Sequence, residues 1–253
     1  MIKTNDGSYT LYSQQFEQHY HSVKEGALNE ALSKHIIPAL DYHKEKKELN
    51  ILDICFGLGY NTLATLYYIE QNNLNIKVNI YSPEFDGELL ESLKDFDYPD
   101  EFKEFDTIIK ELSSNLYFES KNIKIEIFKG DARKYIDKLK DIHIVYQDAF
   151  SSDVNRSLWT QEYFGQIKSI LNKNAIITTY SIATPIRLSI YNNDLKIYEY
   201  KPDNSCNSAG TRTNRITIAL NKKEIHKDIN YKYIDMELKQ QRNTKAMPLK
   251  DKE

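Results

Sequence analysis

The side chains best placed to do chemistry begin where a hydrophobic run ends in a glycine turn, Ile51-Leu52-Asp53-Ile54-Cys55-Phe56-Gly57-Leu58-Gly59-Tyr60-Asn61. Glycines there let the backbone approach a ligand closely, and the helix that follows offers free N–H groups at its first turn. Three carboxylates stand at the ends of later β-rich runs. Glu84, in Tyr81-Ser82-Pro83-Glu84, falls 25 residues after Gly59 and can accept both hydroxyl protons of a ribose. Asp131, in Lys129-Gly130-Asp131-Ala132-Arg133, can accept from an adenine amino group, cap a helix, or do both. Asp148, in Val145-Tyr146-Gln147-Asp148-Ala149-Phe150-Ser151-Ser152, is the best catalytic candidate. A carboxylate at the carboxyl end of a central strand, flanked by aromatics, lies where doubly wound folds put their reacting groups. Trp159, the single tryptophan, suits core packing as well as a pocket wall, and Tyr180 and Ser181 belong to the same rim.

Two cofactor patterns compete for the turn. A dinucleotide fingerprint, GxGxxG, needs a third small residue at position 62, where Thr62 stands, so it is only partly met. The other pattern is an acidic residue followed by alternating glycines, as in proteins that use S-adenosylmethionine. Here it reads Asp53-x-Cys55-x-Gly57-x-Gly59, with Cys55 at the place of the first glycine.

Positioning these groups calls for alternating strands and helices. From Leu49 onward short β-rich runs do alternate with helical patterns, the signature of βαβ units and a largely parallel sheet. Strands are expected at 50–55, 76–82, 123–129, 143–148, 175–180, 195–200 and 215–220, and helices at 61–71, 132–139, 161–171 and 184–192. The fold class is therefore α/β and Rossmann-like, with a seven-stranded, mostly parallel sheet. Its last strand is antiparallel, because 201–214 is too short for an ordinary crossover helix. Ahead of this core (49–220), residues 1–48 read as a cover in which 8–11 and 15–19 pair as a hairpin and 27–43 forms an amphipathic helix kinked by Pro38. Residues 81–111 carry eleven Asp or Glu against three Lys and look like an acidic insertion between the second and third strands. The segment 221–253 is a polar, Lys-rich tail, expected to be partly disordered at its end.

A chain of 253 residues buries about 70–75% of its unfolded surface without staples. Cys55 and Cys206 lie far apart, with no histidine or cysteine at zinc-ligand spacing, so neither a disulfide framework nor a metal is expected. The start lacks a signal-peptide pattern, and no run approaches the roughly 18 apolar residues of a membrane span, which points to a soluble, cytoplasmic protein with no membrane partner. The net charge of −3 excludes a uniformly basic nucleic-acid binder. It resolves, however, into −8 for 81–111 and +5 for the remainder, which leaves room for a locally basic surface.

The ordered set Asp6-Gly7-Ser8, Thr10-Leu11, Tyr20-His21-Ser22, Gly26-Ala27, Glu30, Phe56-Gly57-Leu58-Gly59-Tyr60-Asn61, Asp148-Ala149-Phe150, Leu158-Trp159-Thr160 and Thr179-Tyr180-Ser181 resembles the tRNA 5-methylaminomethyl-2-thiouridine methyltransferase family. That family is the methyltransferase half of a bifunctional wobble-uridine enzyme, found also in a stand-alone form. The resemblance spans about residues 5–220. It implies a class I methyltransferase that moves a methyl group from S-adenosylmethionine to the primary amine of 5-aminomethyl-(2-thio)uridine in the tRNA anticodon stem-loop. Gly57, Gly59, Asn61, Glu84, Asp131 and Ala132 would hold the cofactor, with Tyr20 and His21 closing over it. Asp148 would sit beside the amine, and Phe150, Trp159, Tyr180, Arg156 and Arg212 would meet the substrate RNA. Two departures stand out: Cys55 replaces the family's glycine, and Ser152 stands where a proline commonly follows. The chain has no room for the oxidase domain of longer members, so flavin is not expected and a separate enzyme must supply the aminomethyl group. Two rivals remain open at this point: an aminopropyltransferase resembling spermidine synthase, whose Gly-Gly-Gly-Asp-Gly turn is missing here, and a non-catalytic module that binds RNA or protein.

Overall fold

The computed structural model describes residues 1–202, 215–222 and 230–252. The N-terminal segment holds four short strands, β1 (Ile2–Lys3), β2 (Tyr9–Thr10), β3 (Tyr12–Ser13) and β4 (Gln18–His19), followed by α1 (Ala27–Ala31), a π turn (Leu32–Ile36) and α2 (Ile37–Tyr42). The sheet and its helices follow: β5 (Glu48–Ile54), α3 (Tyr60–Gln71), β6 (Lys77–Glu84), α4 (Gly87–Ser92), α5 (Asp106–Asn115), β7 (Tyr117–Glu119), β8 (Ile123–Lys129), α6 (Ala132–Ile136) and β9 (Ile142–Gln147). The chain continues through α7 (Gln161–Ile170), β10 (Leu171–Thr179), α8 (Thr184–Tyr191), β11 (Lys196–Tyr200), β12 (Ile216–Leu220), β13 (Tyr231–Tyr233) and α9 (Met236–Arg242).

The nine strands of the main sheet run in the order β13-β11-β12-β10-β9-β5-β6-β8-β7. From β8 to β10 they are parallel. β12 inserts antiparallel between β10 and β11. All seven expected strands are present, and the short antiparallel edges β7 and β13 complete the sheet. Every residue of β9 is buried, as a central parallel strand covered on both faces requires. The chain order reverses between β5 and β9, so their carboxyl ends open the crevice in which doubly wound folds bind ligands.

Three local expectations are corrected. First, residues 8–11 do not pair with 15–19: β2 returns to β1, and β3 pairs with β4 through Tyr12 opposite His19 and Ser13 opposite Gln18. Second, the 27–43 helix is broken by the π turn immediately ahead of α2, in which Pro38 takes an early position. Proline has no N–H for the Lys34 carbonyl and its ring crowds that oxygen, and the wider turn relieves both. Third, the C-terminal residues are docked rather than loose. Met236 is fully buried, Gln161 N donates to the Leu249 carbonyl at 2.7 Å, and Asp251 accepts from Arg133 Nη1 at 2.8 Å and Thr160 Oγ1 at 2.7 Å. Arg133 and Thr160 hold the Asp251 carboxyl below its ordinary range.

The acidic stretch contributes apolar side chains to the core while its charges, apart from the buried Glu84, lie toward solvent. Leu89, Leu90, Leu93, Phe102, Phe105, Ile108, Ile109 and Leu112 join the cluster that holds Leu63 and Leu66 of α3.

Candidate active site

The glycine turn is held in the left-handed region, with φ of 65° at Cys55, 54° at Gly57 and 75° at Gly59. A Cβ at Gly57 would lie 3.2 Å from the Tyr20 ring, and one at Gly59 would lie 2.9 Å from the Phe56 ring, so a side chain at either would be crowded as well as strained. Cys55 adopts the same hand without that freedom, a strain of about 1–2 kcal/mol. Burial and the neighbouring Glu84 and Asp148 carboxylates push its thiol well above the ordinary range, so it stays protonated and is no nucleophile.

Glu84, the last residue of β6, is bound to backbone at both oxygens. Oε2 accepts from Gly57 N at 2.9 Å, and Oε1 accepts from Phe85 N at 2.9 Å and Asp86 N at 3.0 Å. Burial raises its pKa against the opposing pull of those amides. Asp131 caps α6, accepting from Arg133 N at 2.8 Å, and remains exposed. These groups line two neighbouring chambers that share Phe16, Cys55, Glu84, Phe85 and Asn155. One chamber, of about 340 Å³, includes Gly130, Asp131 and Ala132. The other, of about 230 Å³, includes Tyr20, His21, Glu30, Gly57, Asn61, Asp148, Phe150 and Tyr180.

Asp148 stands at the floor of the second chamber. Asn61 Nδ2 donates to its Oδ2 at 2.9 Å, and the ring of His35 brings Nε2 to 3.4 Å from its Oδ1. Burial alone would raise this carboxyl, but the His35 and His21 rings and the Asn61 amide outweigh it and hold it below the ordinary range. Beneath it, Asp53 is fully buried, accepts from Thr62 Oγ1 at 2.8 Å, and is pushed by burial up to about 7. The roof is the β3–β4 hairpin. Gln18 donates from Nε2 to Ser151 Oγ at 2.7 Å and accepts from Ser151 N at 3.3 Å, while Phe16 stacks on Phe150 with ring centroids 4.5 Å apart.

Most of the expected residues converge here. Tyr20, Gly57, Asn61, Glu84, Asp148, Phe150 and Tyr180 line the second chamber, and Asp131 and Ala132 line the first. Gly59 caps α3 from behind. Trp159 is corrected: it is completely buried, touches neither chamber, and acts from underneath by donating Nε1–H to the Phe150 carbonyl at 2.7 Å. Arg156 also lines neither chamber; it is exposed and donates from Nε to the Lys250 carbonyl at 3.2 Å. Arg212 lies outside the described residues. Among the described residues, no group of His, Cys, Asp and Glu could hold a metal ion, and no helix is long and apolar enough to cross a membrane.

His35 was not singled out from the sequence. Its signal was weak but present: at helical spacing it shares a stripe with Ala31 and Ala39, and a histidine on a buried apolar stripe must find polar partners.

Comparison with known proteins gives this geometry its family. Residues 100–207 match the family model of an S-adenosyl-L-methionine-dependent methyltransferase. An uncharacterized protein of Methanocaldococcus jannaschii is 32% identical over 197 residues, 75% of this chain, and the match covers 52% of that protein, so the chain spans about half the length of this curated relative. The crystal structure of MnmC2 from Aquifex aeolicus superposes with a TM-score of 0.81 at 28% identity, covering 99% of this chain and 78% of that one. The chain thus has the class I S-adenosyl-L-methionine-dependent methyltransferase fold, carries that methyltransferase pattern over residues 100–207, and is similar to MnmC2 along nearly its whole length.

Proposed function

We propose that this methyltransferase converts 5-aminomethyl-(2-thio)uridine to 5-methylaminomethyl-(2-thio)uridine at the tRNA wobble position, working in the cytoplasm on amine made by a separate enzyme. The observation that carries the reading is the charge of the second chamber. Its described lining holds the carboxylates Glu30, Glu84 and Asp148 and no lysine or arginine. Such a wall suits an acceptor that arrives as a cation, and an alkyl ammonium, with an ordinary pKa near about 10.4, is one. The likeness to MnmC2 and the sequence elements Tyr20-His21-Ser22 and Asp148-Ala149-Phe150 support the same choice.

The residues fit S-adenosylmethionine. Gly57 leaves room under Tyr20 where a side chain would crowd, Glu84 reaches the junction of the two chambers, and Asn61, whose Oδ1 is buried and unpartnered, lines the second. When bound, the cofactor supplies a methyl group on a sulfonium. Glu84 would hold the ribose hydroxyls, and Asp131 and Ala132 the adenine edge. The Tyr20 phenol, pushed up to about 12 by burial and by Glu84, stays protonated and remains a donor. Asp148, kept ionised, would accept a hydrogen bond from the substrate ammonium and take its proton, which frees a lone pair aimed along the chamber. Phe16, Phe85 and Phe150 at the mouth offer ring faces for an everted base. Residues 1–48 act as the cover of the cleft.

The test is incubation with labelled S-adenosylmethionine and tRNA from cells lacking this protein, followed by nucleoside analysis. Labelled 5-methylaminomethyl-(2-thio)uridine is the expected product, and its absence would reject the substrate.

A further inference from the structure

His35 is a ring buried behind Asp148 that lines neither chamber. It is completely buried, and its Nδ1 lies 2.8 Å from Thr178 Oγ1 on β10. Its Nε2 has no hydrogen-bond partner, although Asp148 Oδ1 is 3.4 Å away. A buried polar nitrogen without a partner costs about 1–3 kcal/mol and calls for an explanation. The tautomer gives one. Either tautomer satisfies the Thr178 contact; in the one that holds its proton on Nδ1, Nε2 carries a lone pair that faces an acceptor, and the two can bond only when a proton lies between them.

We infer that His35 is a positioning residue that acts through Asp148, taking up the proton that Asp148 accepts from the substrate ammonium. The inference rests on the amine-methylation reading above. The proton balance is simple. An N–H bond of the ammonium breaks and its electron pair becomes the nucleophilic lone pair. The proton passes by way of Asp148 to His35 Nε2, leaving Asp148 ionised and His35 an imidazolium that donates to Asp148 on one side and to Thr178 on the other. The π turn over Leu32–Ile36 sets His35 at this point, and such turns recur at functional sites.

The groups facing the ring are few. Besides Asp148 and Thr178, Tyr146 of β9 presents an edge at 5.8 Å, and its phenol, raised by burial, stays neutral. His21, whose pKa burial lowers, lies across Asp148, and on the ring's own segment Lys34 is paired with Glu30 and Glu25.

The experiment is the pH profile of kcat on aminomethyl tRNA for wild type, His35→Gln and Thr178→Val, with S-adenosylmethionine affinity measured alongside. Glutamine keeps a donor toward Asp148 but cannot hold a proton. Wild type should rise with pH and level off once the Asp148–His35 pair has lost its proton. H35Q should instead keep rising about tenfold per pH unit between pH 7 and 9, following the fraction of free amine. T178V, which takes away the acceptor for Nδ1–H, should move the wild-type acid limb to lower pH, with cofactor affinity within about twofold in both variants. Variants whose profiles run parallel to wild type, lowered equally at every pH, would overturn the inference and leave His35 a packing residue. A wild type that makes no methylated amine at any pH would overturn the substrate reading, and the inference with it.

Discussion

Asn61 donates from Nδ2 to Asp148 at 2.9 Å while its own buried Oδ1 has no partner. One amide thus ties the first turn of α3 to the loop after β9. Asn61→Ala removes a hydrogen bond to a charged group, about 1.5–3 kcal/mol, so kcat/KM should fall roughly 10- to 100-fold. Cofactor binding should weaken as well, because Oδ1 is lost. Steady-state kinetics with equilibrium binding of S-adenosylmethionine checks both, and wild-type values for each would refute the bridging role.

Asp148→Asn keeps the shape of the side chain and removes its capacity to take a proton. Turnover should drop by roughly 10²- to 10⁴-fold while S-adenosylmethionine affinity survives. A variant retaining near wild-type turnover would dismiss Asp148 as the proton acceptor.

Cys55 sits at φ 65° with a Cβ that the left-handed region does not favour. Cys55→Gly should relieve that strain at the cost of added freedom in the unfolded chain, for a net gain of up to about 1 kcal/mol, and Cys55→Val should destabilise. Thermal melts of the two variants, taken beside wild type, measure the difference. A glycine variant markedly less stable than the parent would mean the thiol's contacts outweigh its backbone strain.

Asp53 is raised in the folded state from its ordinary 3.8 to about 7 by burial. A carboxyl shifted this way lends its full contribution below pH 4 and loses it as the pH climbs through 7, by an amount of order a few kcal/mol. Asp53→Asn has no such loss, so relative to wild type it should gain stability between pH 5 and pH 8. Melting temperatures of both proteins across that range give the answer, and parallel curves would show that Asp53 is ionised throughout.

The glycine turn, Glu84, Asp131 and Asp148 were legible because each follows a β-rich run by a fixed local step, and strand ends in a parallel sheet must gather at one edge. His35 was not, since its partners are distant in sequence: Thr178 is 143 residues away, and no local pattern encodes that meeting. Trp159 was ambiguous for a physical reason. A wall residue and a support residue look alike in composition, and only the 2.7 Å bond to the Phe150 carbonyl separates them. The docked C-terminal residues misled because they are held by polar bonds, Asp251 to Arg133 and Thr160, rather than by an apolar period. Two further arginines are engaged within the fold: Arg187 donates to Thr217 at 2.8 Å, and Arg187 and Arg215 both approach Glu199.

The hairpin roof meets the rest of the molecule through Gln18 and ring contacts, and β3 and β4 form a sheet of their own, separate from the nine-stranded ladder. Lifting it breaks no strand pairing of the core. How long a bound molecule dwells in the cleft is therefore set by a local opening, and how well the protein resists heat is set by the ladder beneath. The two properties can drift apart in evolution, with retention of a small molecule tuned at Phe16, Gln18 and Ser151 while the melting behaviour stays where the sheet put it.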